Sequence, residues 1–165
     1  MQFSDIALGV LIRKAIAESN ITAKDPKATI EIGELPAIKG DETQLLLMFR
    51  KLLENSIKFK SPYADLKIKI NAEQLGQSER ERLKLQPGNY FKVCIADNGI
   101  GFDDGDRKKI FEPLVRLHGK SQYPGNGLGL ALVTRIVINH DGTVFAEGSR
   151  SEGARIYIVL PENQD

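Results

Sequence analysis

Cysteine is almost missing from this sequence: Cys94 stands alone, so no intrachain disulfide can form. It lies inside a predicted strand, where a thiol packs as a small apolar group. No apolar run approaches the length of a membrane span, and the first residues lack a signal-peptide pattern. The compartment expected is the cytoplasm, without direct membrane contact. Excess charge is missing too. A formal net charge of +1 gives no bulk attraction for a polyanion, so no nucleic-acid partner is expected. Internal repeats and low-complexity segments are absent. What remains is ordinary for a folded protein: 41% hydrophobic and 27% charged residues over 165 positions, enough for a single domain, residues 1–165, with a sizeable core.

Hydrophobic spacing marks the elements. Met1-Gln2-Phe3 reads as a frayed end, and Asp5 as the N-cap of a helix running to about Ser19, with Leu8, Leu11, Ile12, Ala15 and Ile16 on its apolar face. Residues 28–32 alternate as a strand and stop near Gly33 and Pro36. Asp41 caps a second helix, with Gln44 as its capping-box partner. Leu45, Leu46, Phe49, Leu52, Leu53 and Ile57 form the core side of that helix. Gln44, Lys51, Asn55 and Lys58 line the opposite side. Such a stripe is either a solvated face or a functional one, and Asn55, a poor mid-helix residue, needs a reason.

Residues 66–70 alternate again as a strand. Residues 71–89 are polar and read as a surface insertion, with one helical turn around 78–83. The apolar run 90–96 suits a buried central strand. Beyond a short helix around 106–111, residues 103–125 hold no long periodic element, and a loop of that length in a domain is often a lid. A helix then opens at Gly125, runs to about Asn139 and stops at Asp141-Gly142. Strands over 143–147 and 154–160 complete the chain.

Two stretches carry candidate chemistry. Asp97-Asn98-Gly99-Ile100-Gly101-Phe102 follows the central strand. It is either a turn, since Asp, Asn and Gly are common turn formers, or a ligand loop with a fixed carboxylate and glycines that admit close approach. Gly125-x-Gly127-x-Gly129 opens a helix, where unpaired N–H groups and the dipole favour an anion. It is not a dinucleotide fingerprint, because it opens the last helix and not the first strand–helix unit. It is not a phosphate loop either, because no Gly-Lys-Ser/Thr follows.

In order and spacing, residues 41–59, 97–102, 111–114 and 125–130 resemble the asparagine, first glycine, phenylalanine and second glycine boxes of sensor histidine kinases. Ser151-Glu152-Gly153 resembles the family's final glycine motif. The resemblance covers the chain from Phe3 to Pro161. It implies an α/β two-layer sandwich, the Bergerat fold: a mixed β-sheet covered on one face by about three helices, with a long ATP lid. It implies ATP and Mg²⁺ as cofactors. Asp97 would accept from the adenine amine, and Gly99, Ile100 and Gly101 would bring backbone to the base. Asn55 would hold Mg²⁺, Lys58 would reach the phosphates, and Phe59 would pack beside the nucleotide. Gly125, Gly127, Leu128 and Gly129 would meet the phosphates. Arg116 in the lid either neutralises the γ-phosphate or is a solvated charge.

The family pattern is broken in places. Lys51 stands where members usually carry Asn, His or Glu, and a cation there either touches a phosphate or repels Mg²⁺. Asn126 replaces a frequent Thr, and Leu114 a second Phe. Neither His118 nor His140 lies in an acceptor motif on a long amphipathic helix; His140 falls at a helix end, where the dipole favours a cation. The resemblance therefore implies a catalytic domain that transfers the γ-phosphate to a histidine on a separate dimerisation domain. A response regulator would act downstream, and membrane anchoring of the parent protein is left open. The alternatives are a degenerate nucleotide-binding or protein-interaction module marked by Lys51, or a hydrolysing ATPase of the same fold, which Lys51 disfavours.

Overall fold

A computed structural model describes residues 1–101, 126–149 and 153–163. The expected lid, with Arg116 and Gly125, lies outside these residues, as do Phe102, Ser151 and Glu152. The elements run β1 (Phe3–Ala7), α1 (Leu8–Ser19), α2 (Ile21–Lys24), β2 (Thr29–Ile32), β3 (Ala37–Asp41), α3 (Glu42–Lys58), β4 (Lys67–Gln74), α4 (Gln77–Arg82), β5 (Tyr90–Asp97), α5 (Asn126–Asn139), β6 (Thr143–Ser149) and β7 (Gly153–Pro161).

Five strands form one sheet in the order β2-β4-β5-β7-β6. β2 pairs parallel with β4, and every other neighbour is antiparallel, so the sheet is mixed, as expected. Parallel neighbours need a crossover, and the segment containing α3 supplies it. On one face Ile68, Ile70, Val93, Ile95, Ile156 and Ile158 are buried and join the side chains of α1, α3 and α5 in a single core. The other face alternates outward and carries Lys67, Lys69, Lys92, Cys94, Arg155 and Tyr157. There Lys92 Nζ lies 2.8 Å from Glu79 Oε1 and 3.2 Å from Glu73 Oε1, and 5.3 Å from the Tyr157 ring centre, fastening α4 to the sheet. Burial pushes the Cys94 thiol up, away from the thiolate that reactivity needs.

Several local expectations change. Residues 3–7 form a strand and not a frayed end followed by a helix cap. β1 pairs antiparallel with β3, which sequence periodicity does not show. Helix α1 therefore begins at Leu8 after Ala7, without a side-chain cap, and Asp5 instead meets Lys39 Nζ at 3.1 Å across the ribbon. Strand β4 extends to Gln74, paired with β5 over its whole second half, so the surface insertion starts after residue 74 and not at 71.

Helix α3 is capped by Asp41, whose Oδ1 accepts the Gln44 N–H at 2.9 Å. The reciprocal half of the capping box is replaced. The Asp41 N–H donates to His140 Nε2 at 3.0 Å, and Gln44 Oε1 accepts from Asn139 at 3.1 Å. His140 is completely buried, its Nδ1 is 2.8 Å from the Ile136 carbonyl, and Phe3 stacks on the ring at 4.9 Å. The ring is thus held inside the core between the start of α3 and the end of α5, where its Nε2 accepts from the Asp41 N–H. Met48 and Ser56 also belong to the buried set of α3, on which α1 and α5 both pack.

Candidate functional site

The site begins where β5 ends. Asp97 is paired with Ile68 of β4 on one side and Ala154 of β7 on the other, so two neighbouring strands fix its backbone. Its Oδ1 accepts the Gly99 N–H at 2.9 Å and the Ala154 N–H at 3.4 Å. Its Oδ2 accepts the Ser56 hydroxyl of α3 at 3.1 Å. Burial raises the Asp97 pKa, and the hydrogen bonds from Gly99, Ser56 and Ala154 pull it back only in part. The result is a half-buried carboxylate with fixed orientation and no charged partner among its hydrogen bonds.

The loop after Asp97 is fastened on both sides. Asn98 Oδ1 accepts the Lys67 N–H at 2.8 Å, and its Nδ2 donates to the Asp65 carbonyl at 2.9 Å. The Ile100 N–H donates to the Phe59 carbonyl at 3.0 Å, which seats the loop on the end of α3. Gly99 is buried against that carbonyl and a Cβ would meet it, so its glycine answers to close packing. Gly101 answers to conformation, with φ at 71° in the left-handed region. Gly153 answers to both: φ is 94°, and a Cβ would overlap the Asp97 carbonyl.

The last turn of α3 supplies the next group. Asn55 is half-buried, and its Nδ2 is buried with no hydrogen-bond partner among the described residues. Asn55 thus stands in the last helical turn and not mid-helix, and its amide nitrogen is left there as a buried, unsatisfied donor. Lys58 is exposed one turn on, its Nζ 5.8 Å from the centre of the half-buried Phe59 ring. Lys51 pairs with Glu54 at 3.5 Å on the same helix, so a neighbouring carboxylate answers its charge.

The polar stripe predicted on α3 is therefore mixed: Gln44, Lys51 and Asn55 are half-buried and only Lys58 is exposed. Gly127, Leu128 and Gly129 fall in the first turn of α5, where backbone N–H groups lack intrahelical acceptors. The contacts of Asn139 and His140 with Gln44 and Asp41 place the C-terminal end of α5 at the start of α3. The two packed helices run antiparallel, so the glycine end of α5 lies toward Asn55. Asp97, Gly99, Ile100, Gly101 and Phe59 are brought into one cluster, with Asn55 and Lys58 on its helical edge. Ser56 is the residue that sequence reasoning missed. Its only signal was a hydroxyl on the apolar side of α3.

Residues 40–164 match the family described as Histidine kinase-, DNA gyrase B-, and HSP90-like ATPase. The chain is 37% identical to cyanobacterial phytochrome A of Nostoc sp. over 95% of its length, and 32% identical to phytochrome-like protein Cph1 of Synechocystis sp. over 98%. It spans only 18% and 20% of those two longer proteins. Its fold superposes on the mycobacterial sensor histidine kinase MprB with a TM-score of 0.75 at 23% identity, covering 99% of this chain and all of that one. The protein belongs to the histidine kinase-, DNA gyrase B- and HSP90-like ATPase family. Within that family it is a catalytic ATP-binding domain of the sensor histidine kinase type.

Proposed function

We propose that this domain binds Mg²⁺-ATP beside Asp97 and passes the γ-phosphate to a histidine on a dimerisation domain of a longer protein. The arrangement at Asp97 carries the reading: a carboxylate held by three donors, beside glycines that leave no room for a Cβ. Those residues fit the nucleotide, and the amide oxygen of Asn55, at the helical edge of the cluster, is the type of donor that a hard cation takes. ATP supplies the transferable phosphoryl group, and Mg²⁺ neutralises the charge of its phosphates.

The chain's own residues bind and orient. Asp97 accepts from the adenine amine, Gly99, Ile100 and Gly101 line the base, and Phe59 packs beside it. Asn55 holds Mg²⁺ through its amide oxygen, a hard ligand suited to that ion. Among the described residues no group of three or more His, Cys, Asp or Glu side chains could hold a metal instead. Lys58 counters phosphate charge, the N–H groups at Gly125, Gly127, Leu128 and Gly129 meet the phosphates, and Arg116 serves the γ-phosphate.

The acceptor is supplied from elsewhere: His140 is completely buried with both ring nitrogens engaged, and His118 lies in no acceptor motif. A response regulator then takes the phosphoryl group, and the site works in the cytoplasm; no described helix is long and apolar enough to cross a membrane. Lys51 favours a second reading, a nucleotide-binding module without turnover. The test is to supply γ-labelled ATP and a separate dimerisation domain. Label on the acceptor histidine supports the kinase, whereas ATP binding without transfer, restored by Lys51→Asn, supports a degenerate module.

A further inference from the structure

We infer that Ser56 is a positioning residue for base recognition: its hydroxyl holds Asp97 so that the carboxylate offers a ligand amine one remaining acceptor site. The inference rests on the nucleotide-site reading above and deepens it. An ionised carboxylate has about four acceptor sites. Oδ1 of Asp97 uses two of them, for the Gly99 and Ala154 N–H groups. Oδ2 uses one, for Ser56 at 3.1 Å. The single site left is on Oδ2, the oxygen that Ser56 anchors.

Ser56 has one proton and two acceptors within reach. The alternative is the Leu52 carbonyl at 3.4 Å, one turn back on the same helix. The bond to Asp97 is shorter and charge-assisted, so it takes the proton. Without it, only Oδ1 would be held, and the carboxylate could turn about its Cβ–Cγ bond.

The position of Ser56 in the fold gives the bond a second consequence. Ser56 is buried and follows Asn55 directly, so a rotation of about 100° separates the two side chains around α3. One side chain is turned into the base cluster, while the other keeps its amide unpartnered. A single helical turn thereby ties the base-reading end of the site to its metal-holding end. Asp97 and Ser56 belong to elements 41 residues apart, and this bond links α3 directly to the tip of β5.

The experiment measures binding of ADP, and of a purine riboside diphosphate lacking the exocyclic amine, to wild type, Ser56→Ala and Ser56→Thr. Ser56→Ala should weaken ADP roughly fivefold, the worth of one ordinary hydrogen bond, and leave the amine-free analogue unchanged. Ser56→Thr, which keeps the hydroxyl, should restore ADP. Equal weakening of both ligands would show that Ser56 only supports the fold, and unchanged ADP affinity would show that it does nothing for the base; either overturns the inference while leaving the nucleotide site standing. Failure of wild type to bind ADP would overturn the site itself, and this inference with it.

Discussion

Asp97 is a carboxylate that the fold would sooner have neutral. Burial raises its pKa above the usual 3.8, despite the Gly99, Ser56 and Ala154 donors. An acid whose folded pKa is raised contributes stability that is complete below its unfolded pKa and is lost as pH rises through the folded value. At neutral pH the ionised group is therefore a cost to the free domain, kept for the sake of the ligand. An Asn at this position can still accept from Gly99 and Ala154 through its oxygen, and its amide can donate to Ser56. Asp97→Asn should thus unfold at a urea midpoint equal to or above that of wild type at neutral pH. The gap should close as pH falls through the acid range, where the wild-type group is protonated. A variant less stable than wild type at neutral pH would mean that the carboxylate is structural.

At the scale of elements, α3 joins scaffold to site. Its start is fixed by Asp41, which accepts from the Gln44 and Gln2 N–H groups at 2.9 Å each. The Gln44 N–H holds the Asp41 carboxyl below its ordinary range, with Gln2 adding to it against the opposing effect of burial. A depressed acid contributes stability above its unfolded pKa and loses it as pH falls through the folded value. Asp41→Ala should cost about 1 kcal/mol at neutral pH, as for other N-caps. That difference should shrink once the medium is acid enough to protonate Asp41 itself, since only the ionised part of the cap is lost, and paired denaturant curves at the two pH values would show it.

Periodicity made the core of α3 legible, and alternation or apolar runs did the same for β2, β4, β5, β6 and β7. It did not reveal β1, where only Ile6 is buried and the pairing partner, β3, lies more than thirty residues on. Asp5 looked like a cap because a short polar residue before an apolar run is ambiguous until its cross-strand partner Lys39 is known.

For the molecule as a whole, the two helices that carry the candidate site are tied at the opposite end. His140, Asp41 and Phe3 join the end of α5, the start of α3 and the first strand. That tie sets the antiparallel course of α5 on α3, which points its glycine end toward the turn that carries Asn55. The motifs were legible in sequence because each is a short run of special residues, and their order identified the family. What stayed hidden were single residues whose partners are distant in the chain: Ser56 with Asp97, His140 with Asp41, and the Ala154 N–H with Asp97.

Calorimetric titration of nucleotides decides whether Asp97 organises a nucleotide site. ADP and a non-hydrolysable ATP analogue should bind the wild-type domain, more tightly with Mg²⁺ than without. Asp97→Asn should lose at least tenfold in affinity for both, since an adenine amine would then face an amide donor. Binding of equal strength to both proteins, or none to either, would mean that Asp97 organises no nucleotide site.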